Sequence, residues 1–215
     1  MNLSPTIAIS LSLIGALAGC GSRAPGPASP LTAESCCREF DYVLEVTIFK
    51  IDVVRLNLRI DPETARGVAA LITSGDRTPE IEDSVAVRLM QTPSAEARMT
   101  FLRGMSGQQF LDNTVGTLRR LGEEGLLSSA EVEALDRSTQ TRFAFLDDSG
   151  IEAGDYLEQV LRGDSVTTTF VTSSGQQVMR DVQVGGEHRI ALLGSYFGRT
   201  SDFRDGLLDQ MYVRQ

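Results

Sequence analysis

"FLRGMSGQQFLDNTVGTLRRLG", residues Phe101 to Gly122, is the stretch that decides the fold. Ser106 and Gln109 have the spacing of a capping box, in which two side chains satisfy backbone N–H groups at a helix start. Met105 and Phe110 flank the box at the positions of a hydrophobic staple. The stretch therefore predicts a helix that begins at Ser106.

The apolar residues of this helix recur at helical spacing and form one stripe, at Leu111, Val115 and Leu118. Gly122 and Gly125 are expected to end it, because glycine is favoured just beyond a helix. The helix therefore has one core-facing side and a defined end.

A second helix follows with the same starting pattern. Ser128 and Glu131 fit a capping box, and Leu127 with Val132 fits a staple. Its stripe is Val132, Leu135, Thr139, Phe143 and Leu146. The turn residues of "DDSG" stop it, so a helix pair joined by a short turn is predicted.

The segment from Phe40 to Ile60 is rich in β-branched residues, contains no glycine or proline, and is predicted to be extended. Apolar residues recur at even-numbered positions along this segment, namely Leu44, Val46, Ile48, Val54, Leu56, Leu58 and Ile60. If no bulge intervenes, Lys50 and Asp52 share the apolar face. A bulge would reverse that placement.

The remaining segments complete an α+β pattern. Asp61 and Pro62 predict a helix start. Residues 74–84 look like a loop, and residues 84–91 and 96–104 alternate like two strands interrupted at Pro93. Strands with turns are predicted over 154–184, followed by two closing helices. The expected domain packs helices on an antiparallel sheet.

Composition and charge exclude some classes of function. The chain has 215 residues and a net charge of -9, which disfavours binding to nucleic acid. His188 is the single histidine, and with no Cys–x–x–Cys pair a multi-histidine metal site is not expected. His188 follows "GGE" and is expected in a surface loop. No cofactor or metal is predicted.

The N-terminus has the pattern of a targeting segment. The apolar run from Ile7 to Ala18 is short for a bilayer span. The "LAGC" that ends at Cys20 resembles the lipobox of bacterial lipoproteins, which implies acylation of Cys20. No lysine or arginine precedes the run, which departs from that pattern, and an ordinary secretory signal is the alternative.

The sequence predicts three parts: a signal peptide over 1–19, a flexible tether over 20–37 and a folded domain over 38–215. The tether is rich in Gly, Pro, Ala and Ser. Cys36 and Cys37 are interpreted as incidental residues at its end. The lipobox resemblance implies an anchor in the bacterial cell envelope, at the outer membrane and facing the periplasm.

The order of these elements resembles the chalcone-isomerase-like family, particularly its bacterial members. Three stretches carry the resemblance: "FKIDVVRLNL", the helix pair from "FLRGMSGQQF" to "SSAEVEAL", and "IALLGSYFGRTSDFRDGLL". The implied fold is an open-faced β-sandwich, in which a large antiparallel sheet lies under a layer of helices with a cleft between them.

The resemblance also implies where a ligand cleft would lie. A hydroxyl position of the family falls on Asp52, a phenol position on Phe110, an amide position on Thr117 and a threonine position on Ser195. The arginine expected upstream of Asp52 is absent. The family's isomerase set is therefore mostly missing, and no catalytic residue is assigned.

These observations predict a non-catalytic, membrane-tethered domain that holds a small apolar or amphipathic ligand between sheet and helices. One alternative is an isomerase-like enzyme that uses Asp52 as a general base. The other is a structural or partner-binding lipoprotein with a collapsed cleft and an exposed apolar patch. The lipid bilayer, through Cys20, is the expected partner, and no protein partner is named.

Overall fold

The computed structural model describes residues 38–46, 51–73 and 76–213. The predicted signal peptide, the tether and the three cysteines, Cys20, Cys36 and Cys37, lie outside these residues, as does Lys50. The side chain of Asp52 also lies outside the described part, although its backbone belongs to a strand.

The described residues form six strands and seven helices. In chain order they are β1 (Arg38–Val46), β2 (Ile51–Ile60), α1 (Pro62–Thr73), α2 (Pro79–Met90), β3 (Ser94–Phe101), α3 (Gly107–Glu123), α4 (Ser129–Arg142), α5 (Leu146–Ser149), β4 (Tyr156–Arg162), β5 (Ser165–Val171), β6 (Gln177–Val184), α6 (Gly186–Phe197) and α7 (Arg204–Val213).

The strands form one antiparallel sheet whose order, β1-β2-β3-β4-β5-β6, is the order of the chain. One face is apolar and buried, as at Leu56, Leu58 and Leu161, and it contributes with the helices to the larger of two hydrophobic clusters in the described residues. The predicted α+β class, with helices packed on an antiparallel sheet, is confirmed.

The opposite face of the sheet carries ion pairs. Arg162 lies 2.6 Å from Glu96 on the neighbouring strand, and Arg98 lies 3.0 Å from Glu158. Arg59 adds a longer contact of 3.9 Å to Glu96. Opposite charges directly across a strand pair stabilise it modestly. Helices therefore cover one face, and the other presents charge to water.

The segment from Phe40 to Ile60 is not one extended run. It forms two strands, β1 and β2, that pair with each other. Their register shifts between Leu44 and Glu45, and Val53 and Val54 are both buried, as expected at a bulge. The bulge that the sequence left open is therefore present, so the condition under which Asp52 would share the apolar face is not met.

The predicted loop and strand over 74–91 were also wrong, because most of this segment is helix α2. Thr78 caps the helix by accepting from the Ile81 N–H, and Pro79 follows at the first turn. Val85 and Leu89 are buried one helical turn apart, whereas Val87 is 49% exposed. The sequence alternation that suggested a strand includes this exposed valine.

The other predicted helices are present, but two of their predicted ends were wrong. Gly122 lies within α3, and α4 ends at Arg142, after which "LDDS" forms the separate helix α5 instead of stopping the first. Both capping boxes form, at Ser106 with Gln109 and at Ser128 with Glu131. The Asp61 carboxylate accepts from the backbone N–H groups of Glu63 and Thr64 at the start of α1. The two closing helices are α6 and α7. Among the described residues, no helix has the length and hydropathy needed to cross a bilayer.

Candidate functional site

A cavity of about 400 Å³ lies between the inner face of the sheet and the helices. Strands β2 to β6 form its floor, and α3, α4, α6 and the α6–α7 connection form its walls. Its apolar lining includes Leu44, Val53, Val54, Met99, Phe101, Met105, Phe110, Leu118, Leu135, Phe143, Leu157, Val166, Ala191, Leu192 and Phe203. The volume lies within the ~300–1,000 Å³ typical of small-molecule sites.

Phe110 belongs to an aromatic wall of this cavity. Its ring centroid lies 4.9 Å from that of Phe143 and 6.0 Å from that of Phe101, both in edge-to-face arrangements. Such pairs are favoured because the positive ring edge faces the negative ring face. Phe110 has no hydroxyl group, so it contributes shape and apolar surface here.

Thr117 and Ser195 also line the cavity, but their hydroxyl groups are engaged within their own helices. The Thr117 hydroxyl donates to the Asn113 carbonyl at 3.0 Å, and the Ser195 hydroxyl donates to the Leu192 carbonyl at 2.7 Å. Thr117 also accepts from the Arg120 guanidinium at 3.0 Å. Neither hydroxyl proton is therefore directed at a ligand.

Three predicted site residues, Phe110, Thr117 and Ser195, thus lie around one cavity. The fourth, Asp52, has a side chain outside the described part. Its proposed role as a general base stays a prediction.

Three polar residues on the floor were not predicted, and one of them, Gln183 of β6, donates to the Ser138 hydroxyl at 2.8 Å. Gln159 of β4 and Thr168 of β5 line the cavity and are register partners. The Gln159 Oε1 accepts from the buried Tyr196 hydroxyl at 3.1 Å, and burial raises the pKa of Tyr196 well above its ordinary value. Thr168 is 1% exposed, and its Oγ1 has no hydrogen-bond partner among the described residues.

The sequence did contain a sign of Gln159 and Thr168. Gln159 stands between Leu157 and Leu161, and Thr168 stands between Val166 and Phe170, at the parity of buried residues. A polar residue at a core-facing strand position requires a partner or a ligand.

His188 and Arg142 form a polar border near the edge strand. His188 lies in α6 rather than in a loop, with its side chain 16% exposed, so its predicted position was wrong. The Arg142 Nε lies 3.4 Å from the Asp181 carboxylate of β6. Burial lowers the pKa of His188 and also that of Arg142. Burial therefore favours the uncharged form of the His188 imidazole.

The Glu124 carboxylate fixes the connection that closes one side of the cavity. It accepts from the backbone N–H groups of Arg199 at 2.9 Å and Thr200 at 2.7 Å, and from the Thr200 hydroxyl. Burial works against ionisation of Glu124, but these hydrogen bonds outweigh it and lower the pKa. The end of α3 is thereby joined to the segment that contributes Ser201 and Phe203 to the wall.

The chemistry available in this cavity is chiefly desolvation and hydrogen bonding. Most of its wall surface is apolar, although about half of the lining residues carry a polar group. Within the described residues, no three His, Cys, Asp or Glu side chains converge to hold a metal ion. Such a cavity suits an apolar or amphipathic molecule.

No protein-family model and no curated protein sequence matches this chain. Among solved structures, it is similar to the crystal structure of the fatty-acid binding protein AtFAP1 of Arabidopsis thaliana, with a TM-score of 0.53 and 16% sequence identity. The match covers 87% of this chain and 94% of that protein. At this identity the likeness concerns the fold, and it confirms the predicted chalcone-isomerase-like, open-faced arrangement.

Proposed function

We propose that this protein binds a small apolar or amphipathic molecule in the cavity between sheet and helices, without catalysing a reaction on it. The observation that carries the proposal is the cavity itself, which has about 400 Å³ of space and largely apolar walls. Transfer of apolar ligand surface from water into such walls is favourable by about 25 cal/mol per Å².

The arrangement of the polar groups favours binding over an isomerase-like reaction. Stabilising a developing oxyanion requires donors directed at the reacting oxygen. The Phe110 side chain has no hydrogen-bond donor, and the hydroxyl protons of Thr117 and Ser195 are donated to helix carbonyls. These positions are suited to enclosing a molecule and poorly suited to polarising one.

Two further observations support a ligand. The structurally similar protein from Arabidopsis thaliana is a fatty-acid binding protein. A purely structural lipoprotein would be expected to have collapsed its cleft, whereas the cavity here is open. An exposed apolar surface also exists, since Val182 and Val184 of β6 are 54% and 72% exposed, but it lies away from the cavity lining.

The proposal includes a place in the cell. The lipobox pattern at Cys20 supports acylation and anchoring in the bacterial cell envelope, at the outer membrane facing the periplasm. The experiment is metabolic labelling with a fatty acid in the unsubstituted protein and in Cys20→Ser. We expect label and membrane fractionation only in the former. Equal labelling of both would exclude Cys20 as the anchor.

The ligand proposal is tested at Gly116, a cavity-lining glycine of α3. A Cβ atom added there meets no other atom within 4 Å, so a larger side chain enters open space. We expect Gly116→Leu to fill part of the cavity without a clash. Gly116→Ala is the matched control, since it changes helix propensity but occupies little of the volume.

The readout is native mass spectrometry of protein purified from its own envelope and then delipidated. We expect a non-covalent adduct in the unsubstituted protein and in Gly116→Ala, and its loss in Gly116→Leu. An unsubstituted protein with no adduct, and with no affinity for a panel of lipids and flavonoids, would contradict the proposal. Equal retention in Gly116→Leu would place any ligand elsewhere.

A further inference from the structure

The floor of the cavity carries one pair of polar side chains on adjacent strands. Gln159 of β4 and Thr168 of β5 are direct cross-strand partners, and both line the cavity. Directly opposed residues on one face of an antiparallel pair have Cβ atoms about 4.5–5.5 Å apart. The Gln159 and Thr168 side chains are therefore neighbours on the cavity floor.

The hydrogen bonds of this pair are incomplete. Thr168 is 1% exposed, and its hydroxyl has no partner in the described part of the chain. Gln159 uses its Oε1 to accept from Tyr196, and no bond from its Nε2 is formed with another described residue. A buried polar group without a partner costs free energy, so a ligand that supplied one would gain affinity.

The charges around the cavity favour an uncharged ligand group. Arg120 and Arg142, which both line the cavity, each face a carboxylate: Arg120 lies 3.9 Å from Asp202, and Arg142 lies 3.4 Å from Asp181. Lining aspartates Asp112 and Asp202 balance the two arginines in number. Each arginine therefore already has a carboxylate neighbour with which an added anion would compete, although the Nε atoms of both arginines are buried without a hydrogen-bond partner among the described residues.

The position of Thr168 adds a second argument against an anion. Its register partner on the other side is Asp181 of β6. A carboxylate bound at Thr168 would compete with Asp181 for Arg142, and the two carboxylates would repel each other at short range. A neutral oxygen at the same place meets no such repulsion.

We propose that Gln159 and Thr168 form a polar subsite that binds an uncharged carbonyl or hydroxyl oxygen of an otherwise apolar ligand. The inference rests on the proposed function and names its ligand class. The Gln159 amide donates to the oxygen, and the Thr168 hydroxyl donates to it or accepts from it. The apolar body of the ligand lies against the Phe110 and Phe143 side of the cavity.

The test uses four probes with one aromatic body: naphthalene, naphthylmethanol, acetylnaphthalene and naphthoate. Binding to the full chain is measured by calorimetric titration. Because a net hydrogen bond changes an equilibrium by roughly threefold to tenfold, we expect the alcohol and the ketone to bind that much more tightly than naphthalene. Naphthoate, which is ionised at neutral pH, is expected to bind most weakly.

Thr168→Val removes the hydroxyl with little change of shape. We expect it to reduce the preference for the ketone over naphthalene while naphthalene affinity is unchanged. Thr169→Val is the matched control, because Thr169 is the next residue on β5 and has the opposite parity. The double variant Gln159→Leu with Tyr196→Phe removes the amide without leaving the tyrosine hydroxyl unpaired. Thermal unfolding checks that each variant is folded.

The outcomes distinguish the proposed subsite from the proposed function. Naphthoate binding more tightly than the ketone would overturn the subsite, and so would an undiminished ketone preference in Thr168→Val. Naphthalene that binds with no preference for the ketone would overturn the subsite alone. A chain that binds none of the probes would overturn the proposed function and the subsite with it.

Discussion

Two turns of the same helix, α3, differ sharply in what surrounds them. At its first residue, a Cβ atom on Gly107 would lie 2.3 Å from the Leu146 carbonyl oxygen. At its middle, a Cβ atom on Gly116 would meet nothing within 4 Å. The helix is therefore fixed against α5 at its start and spans open space farther along. Glycine provides close approach at one place and leaves a void at the other.

Two buried threonines show the same difference between a closely packed and an open part of the molecule. Thr92, at the corner where α2 leads into β3, is fully buried, and its hydroxyl donates to the Asp61 carboxylate. Thr168, on the cavity floor, is as deeply buried and has no partner among the described residues. The corner at Thr92, called the closed corner below, satisfies its own hydroxyl, whereas the cavity floor leaves the Thr168 hydroxyl without a partner among the described residues.

Among the tests of this contrast, Gly107→Ala is expected to change the stability most. The added methyl group would collide with the backbone of Leu146, which cannot move without displacing α5. We expect a loss of about 3 kcal/mol in the free energy of unfolding, at the upper end of overpacking costs. Urea denaturation measures it. A loss below 1 kcal/mol would mean that the first turn of α3 is not fixed as described.

Thr92→Val compares the two threonines directly. It removes the Thr92 hydroxyl that donates to Oδ2 of the buried Asp61 carboxylate, so we expect a loss of about 2 kcal/mol in unfolding free energy. Thr168→Val removes an unpaired hydroxyl, and we expect little loss or a small gain. Thermal and urea unfolding of both variants measure the difference. Equal losses would remove the distinction between the closed corner and the cavity floor.

The closed corner should also weaken in acid. Burial opposes ionisation of Asp61, but hydrogen bonds from Thr64, Thr92 and the helix start outweigh it and lower the pKa below its ordinary value. A lowered native pKa gives stability that is present above about pH 4 and is lost as pH falls through the native value. We expect Asp61→Asn to lose about 1 kcal/mol at neutral pH, because hydrogen bonds to a neutral amide oxygen are weaker than those to a carboxylate.

Measuring unfolding free energies from pH 7 to pH 2 checks this effect. The difference between the unsubstituted protein and Asp61→Asn should shrink as the pH falls, because other carboxylates titrate in both proteins alike. A difference that stays constant over this range would show that the ionised form of Asp61 contributes nothing.

The smallest expected effect is at Gly116. Replacing a helix-interior glycine by alanine lowers the entropy of the unfolded chain, and the methyl group meets no obstacle here. We expect Gly116→Ala to stabilise the protein by about 0.5–1 kcal/mol. Thermal unfolding measures the gain, with Gly107→Ala as the counterpart in the same helix. Destabilisation would contradict the open space beneath α3.

The fold was predicted best where its causes are local. A capping box needs only four neighbouring residues, so the starts of α3 and α4 could be identified directly. Helix α2 was missed because Val85, Val87 and Leu89 alternate like a strand, although Thr78 and Pro79 mark a helix start. Alternation over so few residues does not separate the two periods.

The site was predicted only in part. Family resemblance led to Phe110, Thr117 and Ser195, all of which line the cavity, but it did not lead to Gln159 or Thr168. Those two residues meet because β4 pairs with β5 in one register, and a register follows from tertiary packing. Whether Thr117 and Ser195 have free donors depends on helix carbonyls, which residue types alone do not reveal.

The sequential order of the sheet has a consequence for the path of folding. Strands β4, β5 and β6 follow one another through short turns, so their pairing closes small loops. Pairing of β3 with β4 must close a loop that contains α3, α4 and α5, which carries a larger entropic cost. We expect pulse-labelled hydrogen exchange during refolding to protect β5 before α3. The cavity, one wall of which is α3, would then be the last part of the molecule to form.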